Sequence, residues 1–350
     1  MLVHSISIYS WPKKLLNDIE RWTRNFIWSG DVSKRKLVTV SWEKSCKPLS
    51  EGGLDIRSLS TLNESTNLKL CWDLMNSKED WALLLRSKVI RGRRVISHHI
   101  FSSIWSSIKN LFSTIQSNCG WQIGNGYDIN FWLDNWCGVP IASQLNIPSH
   151  LHANLTNKVR DFILNGQWNF PSSMHICFPQ VIYIAEQVTI PFEATKDKRI
   201  WLPSNNGDLS FKQAFEFKYG VGQNIKWAKD LWCPDIPPTK SLLVWRILHN
   251  KIPTYENLLV RGFQLPSWCS SCNIFCESTF HLFFECSFAM HLWNWLLSII
   301  NINIQFTNCF DFLKLLDRNW SPQCRIVLKA CMFNIIYTIW IRRNHVRFKN

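Results

Sequence analysis

The sequence predicts a mainly α-helical fold with a few small β-hairpins, an α+β chain. Three observations carry this. Long stretches repeat apolar residues at the helical period, two segments alternate apolar and polar residues around Gly-Asn turns, and four cysteines and a histidine crowd into WCSSCNIFCESTFHLFFEC. With 350 residues and 46% apolar content the chain can fill more than one core.

The first helix is expected over residues 12–28, PKKLLNDIERWTRNFIW. Leu15, Leu16, Ile19, Trp22, Phe26 and Ile27 share a face, Pro12 suits the first turn and Gly30 the stop. Lys13, Lys14, Arg21 and Arg24 lie off that stripe. KRKLVTVSWEKSC (34–46) alternates as a short strand, EGGLDI reads as a turn, and a second helix is expected at about 58–76 with Leu59, Leu62, Leu68 and Trp72. GWQIGNGYDINFWLDNW (120–136) predicts a hairpin around Gly124, Asn125 and Gly126. No G-x-x-x-x-G-K-[ST] accompanies those glycines, so they are turn chemistry and not a phosphate loop. Residues 140–200, mixed in Pro, Ser and polar residues, read as a linker or irregular region. RIWLPSNNGDLSFKQAF then predicts strand, turn and strand leading into a helix. From Lys226 the pattern is helical again: SLLVWRILHN, a helix capped by Thr254 and stopped at Gly262, SFAMHLWNWLLSII capped by Ser287, and a last helix from Ser321–Pro322 to about Phe348.

The formal net charge is +14, which favours polyanionic partners because neutralising phosphates releases counterions; a mere solubility charge is the plainer alternative. RSKVIRGRRVISHH (86–99) is the densest basic run and holds no acid, and a second basic cluster closes the last helix. The candidate contacts to RNA or DNA are therefore Arg86, Lys88, Arg91, Arg93, Arg94, Arg342, Arg343 and Arg347. The 20 tryptophans read mostly as core. The 13 cysteines, an odd and scattered set, do not form a secreted disulfide framework, and the N-terminus has no signal-peptide pattern. An intracellular location, nucleus or cytoplasm, is expected. The apolar run ACMFNIIYTIWI, closed by Lys329 and Arg342, is too short to span a bilayer and reads as a buried helix. Neither a membrane nor a small-molecule substrate is expected.

Cys269 and Cys272 form C-x-x-C, a spacing that lets two thiolates on a tight turn grip one tetrahedral zinc, and Asn273 tolerates the left-handed backbone such a turn uses. His281 and Cys286 complete C-x2-C-x8-H-x4-C. Residues five apart on a continuous α-helix lie about 140° round the axis, so the chain must turn between these two. The competing explanations are a redox pair, which would need a thioredoxin-like strand and helix, and chance clustering of buried cysteines. Cys276 could stand in for Cys272 or His281, but is expected to be a spectator. Four protein ligands leave no open position for catalytic water, so the zinc expected here is structural. The fold class becomes a zinc-stabilised helical module.

The words around the cluster carry a resemblance. WAKDLW from Trp227, then PPTK, WRILHNKIPT, NLLVRG, C-x-x-C, ESTFHLFFEC and Trp293 closely resemble the zinc-binding domain of plant LINE-type (non-LTR) retrotransposon reverse transcriptases. YSWPKKLLNDIERWTRNFIWSG with SWEKSCKPLSEGGLDIRSL resembles the segment after the polymerase thumb. GNGYDINFWLDNW and RIWLPSNNGDLSFKQAF resemble the connecting region, and TIWIRRNHVRF the helix before a ribonuclease H domain. The resemblance implies a post-thumb remnant at 1–95, a connecting region with two hairpins at 96–220, the zinc-binding domain at 221–300, and C-terminal helices at 301–350. Such a polymerase needs paired aspartates on a hairpin for two-metal chemistry, and this chain has no Asp-Asp dipeptide. The expectation is a non-catalytic zinc-binding fragment that binds RNA or DNA. The alternatives are a structural or protein-interaction module, or a degenerate fragment without a selected function.

Overall fold

A computed structural model of the chain describes residues 9–35, 39–92, 94–96, 98, 100–192, 195–220 and 222–348. They divide into two compact units. One takes the described residues of Met1–Leu16 and Leu59–Val221, the other Asn17–Ser58 with those of Gly222–Asn350. The second unit thus draws its N-terminal part from inside the stretch that sequence reading treats as one region. Helices dominate, and the strands pair only in two-stranded antiparallel sheets, as the pattern predicts.

Helix α1 (Lys13–Ser29) starts after Pro12 and stops at Gly30, whose φ of 77° closes the last turn as its N–H donates to Phe26 O. Its apolar stripe is not all buried: Leu16 is, while Leu15, Trp22, Phe26 and Ile27 are exposed. In the first unit, α2 (Leu59–Asn76) packs lengthwise on a later helix, α6, described below. Leu68, Cys71, Trp72 and Leu74 of α2 are buried in a core with Leu85 and Val89 of α3 (Asp80–Val89), Trp105 and Ile108 of α4 (Ser103–Ile108), and Ile115 of α5 (Phe112–Asn118). Strands β1 (Ile90–Arg91) and β2 (Arg94–Val95) form a minimal hairpin in the basic run.

The first predicted hairpin is replaced by a longer connection. Strand β3 (Cys119–Gln122) pairs with β6 (Lys198–Trp201), placing Cys119 opposite Trp201 and Gln122 opposite Lys198. The Gly124–Gly126 turn instead wraps an internal carboxylate. The N–H groups of Gly124, Gly126 and Asp128 each donate to Asp197 at 2.8 Å. A Cβ at Gly124 would sit 2.4 Å from Thr195 O, which is why glycine stands there. The segment 140–200 is not a linker. It holds a hairpin of β4 (Ile163–Leu164) and β5 (Gln167–Trp168), helices at Ser172–Cys177 and Pro179–Glu186, and a core around Phe131, Trp136, Phe162 and Val181. The second predicted hairpin keeps its turn, with Trp201 N–H donating to Gly207 O, but its second strand is absent. Ser210 and Gln213 form a capping box that opens α6 (Phe211–Tyr219) at once.

The second unit has one core. Helix α7 (Pro238–Leu248) packs on the last helix, α10 (Pro322–Phe348), and contributes Leu243, Val244, Trp245 and Ile247; α8 (Tyr255–Leu259) is short, and α9 (Ser287–Ile299) adds Ala289, Trp293 and Leu296. By length and composition α10 could cross a membrane, yet its Leu328, Met332, Phe333, Ile336 and Ile339 stripe is this core. The strand predicted at 34–46 is not formed where it is described: Trp42–Ser45 is a helical turn, and 36–38 lie outside the described residues. The EGG turn is fixed from both sides. Trp245 Nε1 donates to Gly52 O at 2.6 Å, and a Cβ at Gly53 would lie 1.9 Å from Lys47 O. Replacing Gly53 with Ala is expected to cost about 3 kcal/mol or more, read as a fall in the urea midpoint at unchanged slope.

Candidate metal centre

The cysteine segment has almost no regular structure of its own, so its backbone is held by turns. Cys269 N–H donates to Phe275 O at 2.8 Å, Trp268 bridges to Cys276, and Asn273 N–H donates back to Cys269 O at 2.8 Å. Asn273 has φ 57°, the left-handed conformation that folds the C-x-x-C loop back on itself. Both cysteines of the pair then point to one side.

His281 and Cys286 reach the same point by an unusual helical turn. Residues His281–Glu285 form a π-turn, with Cys286 N–H donating to His281 O at 2.7 Å. An i to i+5 bond brings residues five apart onto one face, which an α-helical turn cannot do. The chain then breaks at Cys286 (ψ 136°) and α9 begins at Ser287. Cys286 itself occupies the N-cap position, so Ser287 is the first helical residue and not the cap that the sequence pattern predicts. Thr254 does hold the N-cap position of α8, but its hydroxyl pairs with Thr279 at 3.2 Å and not with the helix backbone.

Cys269, Cys272, His281 and Cys286 converge, with donor atoms all within 4.8 Å of one another. Cys269 Sγ and Cys286 Sγ are 3.9 Å apart, and Cys272 Sγ is 3.4 Å from His281 Nε2. Zinc–sulfur bonds of about 2.3 Å at tetrahedral angles put sulfurs about 3.8 Å apart, so the residues fit that ion. Burial pushes the Cys269 thiol up to about 12, against the pull of the Ser271 and Cys272 backbone, and the nearby Cys286 and Cys272 sulfurs add to the rise. Burial also raises Cys272, but the Ile274 and Phe275 backbone and the His281 and Cys269 side chains outweigh it and bring the thiol to about 6. Three sulfurs so close repel one another as thiolates, and a dication at their centre removes that repulsion. On the outer side, Glu285 Oε2 lies 3.8 Å from His281 Nδ1. Cys276 is exposed and outside the group.

One partner of this loop is not among the sequence candidates for the site. Glu277, one residue after Cys276, is fully buried and accepts Arg343 Nη2 at 2.7 Å, Arg343 Nε at 3.0 Å and Arg347 Nη1 at 3.1 Å. It also takes Tyr255 N–H at 3.1 Å, so one carboxylate ties the metal loop to α8 and α10. Of the predicted nucleic-acid residues, Arg343 is therefore a core group and Arg347 is largely committed to the same carboxylate. The clue lay in the sequence: Met332, Ile336, Ile339 and Arg343 continue one helical stripe. Arg86 is likewise engaged, donating to Leu74 O at 2.9 Å and Ser77 O at 2.6 Å just past the end of α2, and burial lowers its pKa. Lys88 and Arg91 are exposed, Arg342 is exposed with its guanidinium over Phe288, Arg93 lies outside the described residues, and the side chain of Arg94 is likewise not described.

Together the helical fold and the converging Cys3His group define a helical module with a candidate zinc site. Residues 209–293 match the family model described as zinc-binding in reverse transcriptase. The chain is 26% identical over 307 residues to a "Putative ribonuclease H protein" of Arabidopsis thaliana, covering 84% of this chain and 49% of that protein. It is 27% identical over 139 residues to an "Uncharacterized mitochondrial protein" of the same plant, covering 38% of this chain and 90% of the relative. The chain spans about half the length of the first relative. It carries a reverse transcriptase zinc-binding region of the plant retroelement kind.

Proposed function

We propose that this chain is a non-catalytic, zinc-stabilised module of retroelement origin that binds RNA or DNA. The observation that carries it is the donor set: three sulfurs and one imidazole within 4.8 Å of one another supply the four protein ligands typical of a structural zinc. Among the described residues this is the one group of three or more metal-capable side chains so placed. The net charge of +14 supports a polyanionic partner. Primer extension by the purified chain is expected to give no product, and extension dependent on a divalent ion would refute the non-catalytic reading. Filter binding with single-stranded RNA and DNA across a salt series is expected to show affinity that falls as salt rises. Absence of binding at low salt would leave a structural or protein-interaction module.

Glu285 has a predicted part in this. A carboxylate beside the non-ligating nitrogen orients a metal-bound imidazole and raises its basicity. Glu285→Ala is expected to weaken zinc binding about tenfold, the lower end of such effects, because 3.8 Å exceeds hydrogen-bond length. Chelator competition measures this, and stoichiometry at saturating zinc should stay at one ion per chain.

A further inference from the structure

The second unit gathers basic side chains into one concavity that the sequence runs do not reveal. A cavity of about 790 Å³ is lined by Arg21 and Arg24 of α1, Arg35, Lys44, Lys251 and Arg261. No Asp or Glu is among its described lining residues, although Asp18 reaches Arg21 from outside at 2.9 Å. Each cation is at least partly exposed, and they come from well-separated points of the chain. The wall beneath is donor-rich. Arg24 lies over the Trp42 ring at 5.5 Å, and the buried Arg24 Nε and Trp42 Nε1 find no acceptor among the described residues. Arg261 donates to Thr39 O at 2.9 Å and Arg246 to Thr39 Oγ1 at 3.2 Å, so two guanidinium groups share one threonine.

Collecting like charges over unsatisfied donors is unfavourable unless an anion offsets them. The positive field is felt nearby. Burial lowers the pKa of Arg246, with Arg261 adding to the effect, and burial lowers that of His249, with Lys44, Lys251 and Lys47 contributing against the hydrogen bond to Gly52. One phosphate ion would occupy two or three of these cations, whereas six lining one concavity exceed a single phosphate and suit a run of them. We propose that this groove is the track for the phosphodiester backbone of a single-stranded nucleic acid, with Arg21, Arg24, Arg35, Lys44, Lys251 and Arg261 as its phosphate contacts. This rests on the nucleic-acid reading above and gives it a place.

The test uses the full chain and labelled single-stranded RNA, with anisotropy read across a chloride series. Arg35→Gln/Lys44→Gln/Lys251→Gln removes three groove charges at side chains for which no core contact is seen. Lys78→Gln/Lys109→Gln/Lys229→Gln removes as many from exposed positions outside both the groove and the basic runs. Both should keep wild-type zinc content and circular dichroism. The groove variant is expected to bind at least about tenfold more weakly and to flatten the log–log salt slope by about 2, the value for three lost phosphates on a single strand. The control should change far less. Equal losses in the two variants would mean diffuse electrostatics and overturn the groove while leaving nucleic-acid binding intact. No binding by the wild type would sink both. Displacement of the RNA by inorganic phosphate far beyond chloride of equal ionic strength would make the groove a discrete phosphate pocket, and the backbone assignment would fall.

Discussion

Cys269→Ser and Cys286→Ser are each expected to reduce bound zinc from one ion per chain to none and to unfold residues 255–300. Both sulfurs are buried at the centre of the donor group, 3.9 Å apart. A hydroxyl there neither ionises nor bonds zinc comparably. A structural zinc supplies on the order of 10 kcal/mol to folding, as much as a domain's whole net stability. Apart from the Glu277 anchor at its end, the loop from Ser267 to Ser278 is held by backbone bonds that close turns, and no strand or helix spans it. Cys276→Ser is expected to do neither, because that thiol is exposed and outside the group. Metal analysis with hydrogen exchange over 255–300 measures both effects, and chelated wild type should reproduce the two damaging variants. Equal zinc loss in all three would mean that the ligand set is wrong.

The convergence of Cys269, Cys272, His281 and Cys286 could be read from the sequence because its determinants are local. C-x-x-C with a following Asn specifies a turn, and the structure places Asn273 in the left-handed region. The five-position spacing of His281 and Cys286 demands a departure from α-helix, met by the π-turn and the break at Cys286. Helix ends at Gly30 and Pro322 are equally local. Determinants that lie far apart in the chain were hidden. Strand β3 pairs with β6 across the entire 140–200 segment, so alternation near 120 and near 200 looked like two local hairpins. That segment is cored by Phe131, Phe162, Trp168 and Phe170 packing ring against ring, which leaves no periodicity behind. The basic groove leaves no run in the sequence for a related reason. Its cations are scattered from Arg21 to Arg261, and only folding assembles them, whereas the visible runs at 86–94 and 342–347 include arginines that serve the core.

The buried ion pair gives the second large expected effect. Glu277→Ala should destabilise the second unit by about 3–5 kcal/mol, the usual penalty for stranding one member of a buried pair. The side chains of Arg343 and Glu277 are 2% and 0% exposed, so water cannot take over the lost partner. The loss also frees Tyr255 N–H at the start of α8 and one contact of Arg347. Glu277→Gln keeps the shape and part of the hydrogen bonding, and should fall between Ala and wild type. Glu277→Met with Arg343→Met should recover much of the loss, because a matched apolar pair has no stranded charge. Urea unfolding of the singles and the double yields the coupling energy directly. A strong favourable coupling would establish that Arg343 is bound into the core and withheld from any phosphate. Near-additivity of the singles, with each costing under about 1 kcal/mol, would mean that water reaches the pair and that Arg343 returns to the set of surface cations.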